Sequence, residues 1–326
     1  MNLRRLAALG LAGSALYLAG SFFFARTLAR RLLSPEGLGP TPDRYDEMDA
    51  ALRRDAAIVR QILFTGSARL PATLLATFAS PGDPAGRPTI LFLHGKGGNS
   101  SEWIPDASRA VRSGYNVLLP DLRGHGKSGG SFFTLGFLEK EDLAIAVEAA
   151  AGRFSIDPRR LGIHSCSAGS SVALEFAAGR DGIRAIWLES PFAQPAEMAR
   201  HYLSRATRIP APLLALATRW AIARAISGVA RELGVAAPGG SEGLALLDPV
   251  RSAGRVTAPV LLVHGDGDRL VPPRFMSRLE AALPPGSAVW RVPGAGHCHH
   301  ADEPAAVARD AYARRWEEFF RTHLPV

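Results

Sequence analysis

Four short segments carry side chains suited to acyl-transfer chemistry. Ser165-Cys166-Ser167-Ala168-Gly169 sets a serine among small residues. This is close to G-x-S-x-G, the pattern of a tight strand-to-helix turn that exposes a serine hydroxyl. Ser165 stands where the pattern has its first glycine, and its small size makes the departure tolerable. Taken alone, the pentapeptide also reads as a serine capping a helix N-terminus. A serine nucleophile needs a base touching it and a carboxylate orienting that base. His264-Gly265-Asp266-Gly267-Asp268 supplies the carboxylates and Pro293-Gly294-Ala295-Gly296-His297 the imidazole, giving the order Ser167, Asp268, His297. Asp266 is the rival acid. The fourth segment, His94-Gly95-Lys96-Gly97-Gly98-Asn99, is glycine-rich. Its backbone can approach a developing oxyanion closely, with the amides of Lys96 and Ala168 as the expected donors. It has neither G-x-G-x-x-G nor the Gly-Lys-Ser/Thr of a phosphate loop. His297, Cys298, His299 and His300 raise a metal site as an alternative, but a role for His297 as base competes with it, so no metal is expected.

These segments must be positioned by regular elements. Apolar runs at 89–93, 116–119, 161–164, 185–188, 259–263 and 288–292 read as buried strands. Helical patterns at 101–112, 138–153, 167–178, 273–283 and 304–320 alternate with them. That rhythm predicts an α/β fold with a mostly parallel sheet covered on both faces. Residues 61–65 and 73–80 add an antiparallel edge. In such sheets ligands bind at the carboxyl ends of the strands, where all four segments fall. Between the strands ending near 188 and starting at 259 lie about 70 residues, too many for a plain loop. They include helical stretches at 195–205 and 213–233, and the interval of about 191–257 is expected to be a small helical cap.

The N-terminal region has a different character. Residues 6–25 are uncharged and mostly apolar, between Arg4 and Arg5 on one side and Arg26, Arg30 and Arg31 on the other. A helix of twenty residues spans about 30 Å, the thickness of the hydrocarbon layer. Residues 1–33 are therefore expected to be an uncleaved transmembrane anchor, with a cleaved signal peptide as the competing reading. Residues 34–43, rich in Pro and Gly, read as a linker, and the folded domain is expected over 44–326. The 326 residues are 47% hydrophobic, enough for a sizeable core. The net charge of +8 comes mostly from scattered Arg without a dense run or interleaved aromatics, which argues against a nucleic-acid partner.

Over about residues 60–322 the motifs together resemble the α/β-hydrolase superfamily. Pro120-Asp121-Leu122-Arg123-Gly124-His125-Gly126-Lys127-Ser128 matches a loop of that family. Glu189-Ser190-Pro191-Phe192, followed by a helical cap, is similar to its serine-aminopeptidase-like branch, several members of which are membrane-anchored. The resemblance implies Ser167 as nucleophile, Asp268 as acid, His297 as base, and Lys96 and Ala168 as a backbone oxyanion hole. The family spacing from His-Gly favours Asp268 over Asp266. Asp121, Arg123 and His125 read as structural residues of their loop. A serine at this place argues against dehalogenase and epoxide hydrolase chemistry, which uses aspartate there. The implied activity is a serine hydrolase acting on a carboxylic ester or other small acyl substrate, without a cofactor. Thioesters, amides or short peptides remain as alternatives, as does a non-catalytic binding member of the fold.

One local feature is similar to tannases and fungal feruloyl esterases. Cys166 precedes the serine and Cys298 follows the histidine. In those enzymes a disulfide ties the two segments, and the resemblance implies a Cys166–Cys298 bridge. A stable bridge implies an oxidising compartment. It would therefore place the catalytic domain outside the cytoplasm on a single-pass anchor.

Overall fold

The computed structural model describes residues 43–191, 248–298 and 306–326, with residues 33–36 and scattered positions between 193 and 227. The chain divides into two compact units, one of residues 34–194 and 247–326, the other of residues 1–33 and 195–246. The expected cap helices fall in the second unit and lie almost wholly outside the described residues.

The first unit is built on an eight-stranded sheet. Its strands are β1 (Ile58–Thr65), β2 (Thr73–Ser80), β3 (Thr89–Leu93), β4 (Asn116–Pro120), β5 (Leu161–Cys166), β6 (Ile183–Glu189), β7 (Val260–Gly265) and β8 (Ala288–Val292). Their order is β1-β2-β4-β3-β5-β6-β7-β8. β1 with β2 and β2 with β4 are antiparallel; every other neighbouring pair is parallel. The helices are α1 (Tyr45–Asp55), α2 (Ile104–Arg112), α3 (Glu139–Phe154), α4 (Ala168–Ala177), α5 (Pro249–Ala253), α6 (Ser277–Glu280) and α7 (Ala306–His323).

The expected α/β-hydrolase architecture is thus present, and the reason is visible strand by strand. Every residue of β3, β4, β5 and β7 is buried, because helices cover both faces of the sheet. On α7, Tyr312, Trp316 and Phe320 recur every fourth residue, share one helix face and are fully buried. The Trp316 and Phe320 rings meet at a tilt with centroids 4.7 Å apart, and Tyr312 meets Trp187 of β6 edge-on at 5.1 Å. Aromatic pairs at these separations add roughly 0.5–1.5 kcal/mol each beyond the area they bury.

Two elements differ from the sequence reading. α1 was not anticipated, although Asp46 and Glu47 occupy its first turn and Arg53 and Arg54 its last, as the helix dipole favours. Its Tyr45, Met48 and Leu52 recur at helical spacing and are buried. The helix expected over 273–283 is instead a 3-10 turn, Pro273–Phe275, and the single turn α6. Pro272 and Pro273 lack amide donors on one side, and Leu283 precedes Pro284 on the other, so little helix fits between them.

The expected localisation is corrected. Among the described residues no helix is long and apolar enough to cross a membrane. Of the anchor assigned to residues 1–33, all but Leu33 lies outside the described residues, the apolar stretch 6–25 included. The orientation drawn from it rested on the Cys166–Cys298 bridge, and neither cysteine is bridged. A membrane location with an extracytoplasmic catalytic domain therefore loses its support.

Candidate active site

The site sits where β3, β5, β7 and β8 end. β5 passes into α4 through Ser167, whose backbone lies at φ 49° and ψ −120°. A non-glycine residue here is strained, and the surroundings must hold it. They do so through its amide, which donates to the Glu189 carbonyl at 2.8 Å. The glycines fit by close approach. A Cβ on Gly169 would lie 2.4 Å from the His94 carbonyl oxygen, so only glycine lets α4 pack against the end of β3. Ser165, in place of the motif's first glycine, is buried with its hydroxyl 3.2 Å from Ser170 Oγ and 3.4 Å from the Trp187 carbonyl. The substitution thus leaves its polar group partnered.

Ser167 forms no side-chain cap on α4, which removes the helix-cap reading. Its Oγ lies 3.0 Å from His297 Nε2, while His297 Nδ1 lies 2.7 Å from Asp268 Oδ2. The three candidate residues thus form one hydrogen-bonded chain. Ser167 and His297 remain partly exposed, whereas Asp268 is buried. Asp266, the rival acid, is exposed and accepts the Gly294 amide at the base of the histidine loop.

Asp268 is held by a dense set of donors. Its Oδ1 accepts the Leu270 and Val271 amides at 2.9 and 2.8 Å. His264 Nε2 lies 3.3 Å from Oδ2, the oxygen that also faces His297. Burial by itself would raise the carboxyl's pKa. The hydrogen bonds from His264, His297 and the Val271 amide outweigh it and hold the group well below its ordinary value.

The histidine loop is fastened at two points. A Cβ on Gly265 would lie 2.3 Å from the Ala295 and Gly296 carbonyl oxygens, so β7 and this loop pack backbone to backbone. Beyond His297, the Cys298 amide donates to Ser190 Oγ at 3.0 Å. Glu189, one residue earlier, is fully buried beneath the serine turn with His164, whose Nε2 lies 3.1 Å from its carboxylate. Trp316 Nε1 donates to His164 Nδ1 at 3.2 Å, so the Nε2 proton is the one shared with Glu189. Trp187 and Tyr312 donate to the same carboxylate oxygen.

The loop after β3 lies against the serine: a Cβ on Gly95 would come 3.4 Å from Ser167 Cβ. Lys96 follows directly, and Ala168 opens α4, so both expected oxyanion donors belong to segments adjoining Ser167. His94 donates from Nδ1 to the Gly95 carbonyl at 2.8 Å and accepts the Leu122 amide on Nε2 at 3.0 Å. This ties the loop to the one after β4. In that second loop Asp121 accepts from Tyr45, Ser100 and Lys127, and Arg123 pairs with Asp142 through two bonds of 2.7 and 2.9 Å. Burial, the largest influence, holds His125 down at about 3. All three residues brace their loop, as expected.

The expected disulfide is corrected. Cys166 and Cys298 do come together, but as two buried, unbridged thiols in hydrogen-bond contact. Adjacency to Ser167 and His297 brings the neighbours close, yet it does not set the sulfur geometry that a bridge requires. The tannase-like pattern is therefore one of sequence alone. Among the described residues no group of three or more His, Cys, Asp or Glu is arranged to hold a metal; His299 and His300 lie outside them. Sequence reasoning missed His264, Glu189 and Ser190 as parts of the site. The His-Gly dipeptide at the end of β7 was the available signal for the first.

The chain belongs to the alpha/beta hydrolase family, whose profile matches residues 90–311. It is 29% identical over 303 residues to the uncharacterised protein Rv2307c of Mycobacterium tuberculosis, covering 91% of this chain and 90% of that one. It is 26% identical over 258 residues to the uncharacterised YfhR of Escherichia coli, covering 78% and 75%. In structure it is similar to the Pyrococcus furiosus esterase Pf2001, with a TM-score of 0.64 at 19% identity over 90% of this chain and 98% of that one. It is also similar to an acylaminoacyl peptidase of Pyrococcus horikoshii, with a TM-score of 0.57 at 16% identity over 85% of this chain and 44% of the other. At these identities the structural likeness shows the shared fold.

Proposed function

We propose that the protein is a serine hydrolase that cleaves carboxylic esters through an acyl-enzyme. The observation that carries this reading is the continuous chain from Ser167 Oγ through His297 to Asp268, with the serine held in a strained turn. In the first step Ser167 Oγ attacks the acyl carbonyl carbon and His297 Nε2 takes its proton. The negative charge gathers on the carbonyl oxygen, where the amides of Lys96 and Ala168 stabilise it. Asp268 keeps the His297 proton on Nδ1 and supports the imidazolium that forms. The tetrahedral species collapses, and His297 returns the proton to the departing alkoxide. Water then gives its proton to His297 and attacks the ester of Ser167, releasing the acid and restoring the serine.

Esters are the first substrate class to test, as for the Pyrococcus furiosus protein named an esterase. Thioesters, amides and short peptides are the alternatives. The test combines a fluorophosphonate probe with p-nitrophenyl esters of increasing chain length. Wild type should label and turn over; Ser167→Ala should lose labelling and about 10³-fold or more of the turnover. Equal labelling of both proteins, or turnover that survives the substitution, would overturn the reading.

A further inference from the structure

We propose that His264 is a positioning residue of this site, supplying a second imidazole N–H that fixes the Asp268 carboxylate and through it His297. The inference rests on the reading of Ser167, His297 and Asp268 as a catalytic triad.

His264 is the next-to-last residue of β7 and is fully buried. Its Nε2 lies 2.8 Å from the Val271 carbonyl oxygen and 3.3 Å from Asp268 Oδ2. Both neighbours only accept, so Nε2 carries the proton. The other ring nitrogen, Nδ1, has no hydrogen-bond partner among the described residues. The geometry therefore assigns one tautomer, and all of the ring's hydrogen bonding is directed at the turn that holds Asp268.

That turn is closed from both sides by one residue. The Val271 amide donates to Asp268 Oδ1, and the Val271 carbonyl accepts from His264. Asp268 Oδ1 is thus fixed by backbone amides, while Oδ2 faces His264 and His297. Without His264, Oδ2 would keep His297 as its one donor among the described residues, and the carboxylate would be anchored through Oδ1 alone. A residue acting in this way leaves substrate binding alone and changes the step in which His297 moves a proton. The loss should fall on kcat, with KM nearly unchanged.

Two substitutions separate this role from simple packing. His264→Leu removes the donor, and kcat should fall about tenfold, the order expected for one hydrogen bond to a charged group. His264→Gln keeps an N–H at a comparable reach and should stay within about threefold of wild type. A Leu variant within twofold of wild type, or a Gln variant as impaired as Leu, would overturn the proposal. A second measurement uses unmodified protein: the ¹⁵N imidazole spectrum should place the His264 proton on Nε2. A proton on Nδ1 would overturn the proposal even where His264→Leu fails to fold. Failure of the esterase reading looks different, since wild type would then neither label nor turn over. In that event the downfield Nδ1–H resonance of His297 decides the matter without turnover. Its loss in His264→Leu with retention in His264→Gln supports the proposal; an unchanged resonance in both overturns it.

Discussion

The Cys298 amide donates to the Ser190 hydroxyl at 3.0 Å, joining the residue after His297 to the residue after Glu189. Both partners have left-handed backbones, Cys298 at φ 57° and Ser190 at φ 42°. Two strained positions therefore hold each other, and β6 is fastened to the histidine loop. Ser190→Ala leaves the Cys298 amide buried without this acceptor, which costs on the order of 1–3 kcal/mol. The expected outcome is a folded protein with a lower urea midpoint and roughly tenfold lower kcat/KM, as His297 loses its seat. Steady-state kinetics beside a denaturation curve check both parts.

The two aspartates of the β7 loop should separate cleanly. Asp268→Asn should lower turnover by orders of magnitude, since it removes the acceptor that keeps the His297 proton on Nδ1. Asp266→Asn should reduce it by no more than several-fold, because Asp266 is exposed and, among the described residues, accepts the Gly294 amide alone. If Asp266→Asn proves the more damaging in a side-by-side ester assay, the acid has been misassigned.

Asp268 also makes stability depend on pH. Its native carboxyl titrates below the ordinary value of 3.8, so the unfolded chain binds more protons in acid. The resulting stabilisation is complete above the unfolded pKa and is lost as the pH falls toward the native one. Between about pH 5 and pH 3 the wild-type urea midpoint should therefore drop more steeply than that of Asp268→Asn. Parallel slopes in the two proteins would remove Asp268 from the acid-sensitive groups.

Arg123 and Asp142 form a buried pair, and a third bond runs from Arg123 Nη1 to the Leu70 carbonyl at 2.6 Å. Removing one partner strands a buried charge, at a cost of about 3–5 kcal/mol. Arg123→Met should be destabilised by that amount in chemical denaturation. The protein that remains folded should keep its KM, because the pair braces a loop and does not belong to the reacting chain.

The cysteines give a chemical readout of the corrected disulfide. In Cys166 the hydrogen bond with Cys298 works to lower the pKa, but burial and the nearby Glu102 and Glu189 raise it on balance. Burial first, then the contact with Cys166, raises Cys298 well above its usual value. A buried thiol kept protonated is a poor nucleophile. Ellman's reagent should react slowly with the native protein and release two equivalents on denaturation without reductant. No release would restore the bridge.

The sequence by itself determined the layered α/β fold, because strands buried on both faces must be apolar throughout and the helices between them must be periodic. It also put forward Ser167, Asp268 and His297 as candidates, with Asp266 as the rival acid, since each follows a strand in a short glycine-containing segment whose residue types narrow the chemistry. α1 was legible too, in the spacing of Tyr45, Met48 and Leu52, but it lay close to a linker and went unread. Tertiary structure alone decided the rest. Whether Ser167 caps a helix or faces His297 depends on a turn strained by distant contacts. Whether Asp266 or Asp268 meets the histidine depends on which carboxylate the loop buries. Whether two neighbouring cysteines bridge depends on sulfur geometry that adjacency along the chain does not set. Glu189 and Ser190 join the site from the end of β6, through hydrogen bonds to His164, Tyr312 and Cys298, residues far from them in the chain. Such bonds leave no periodicity and no local motif in the sequence, so only the packed fold brings them into view.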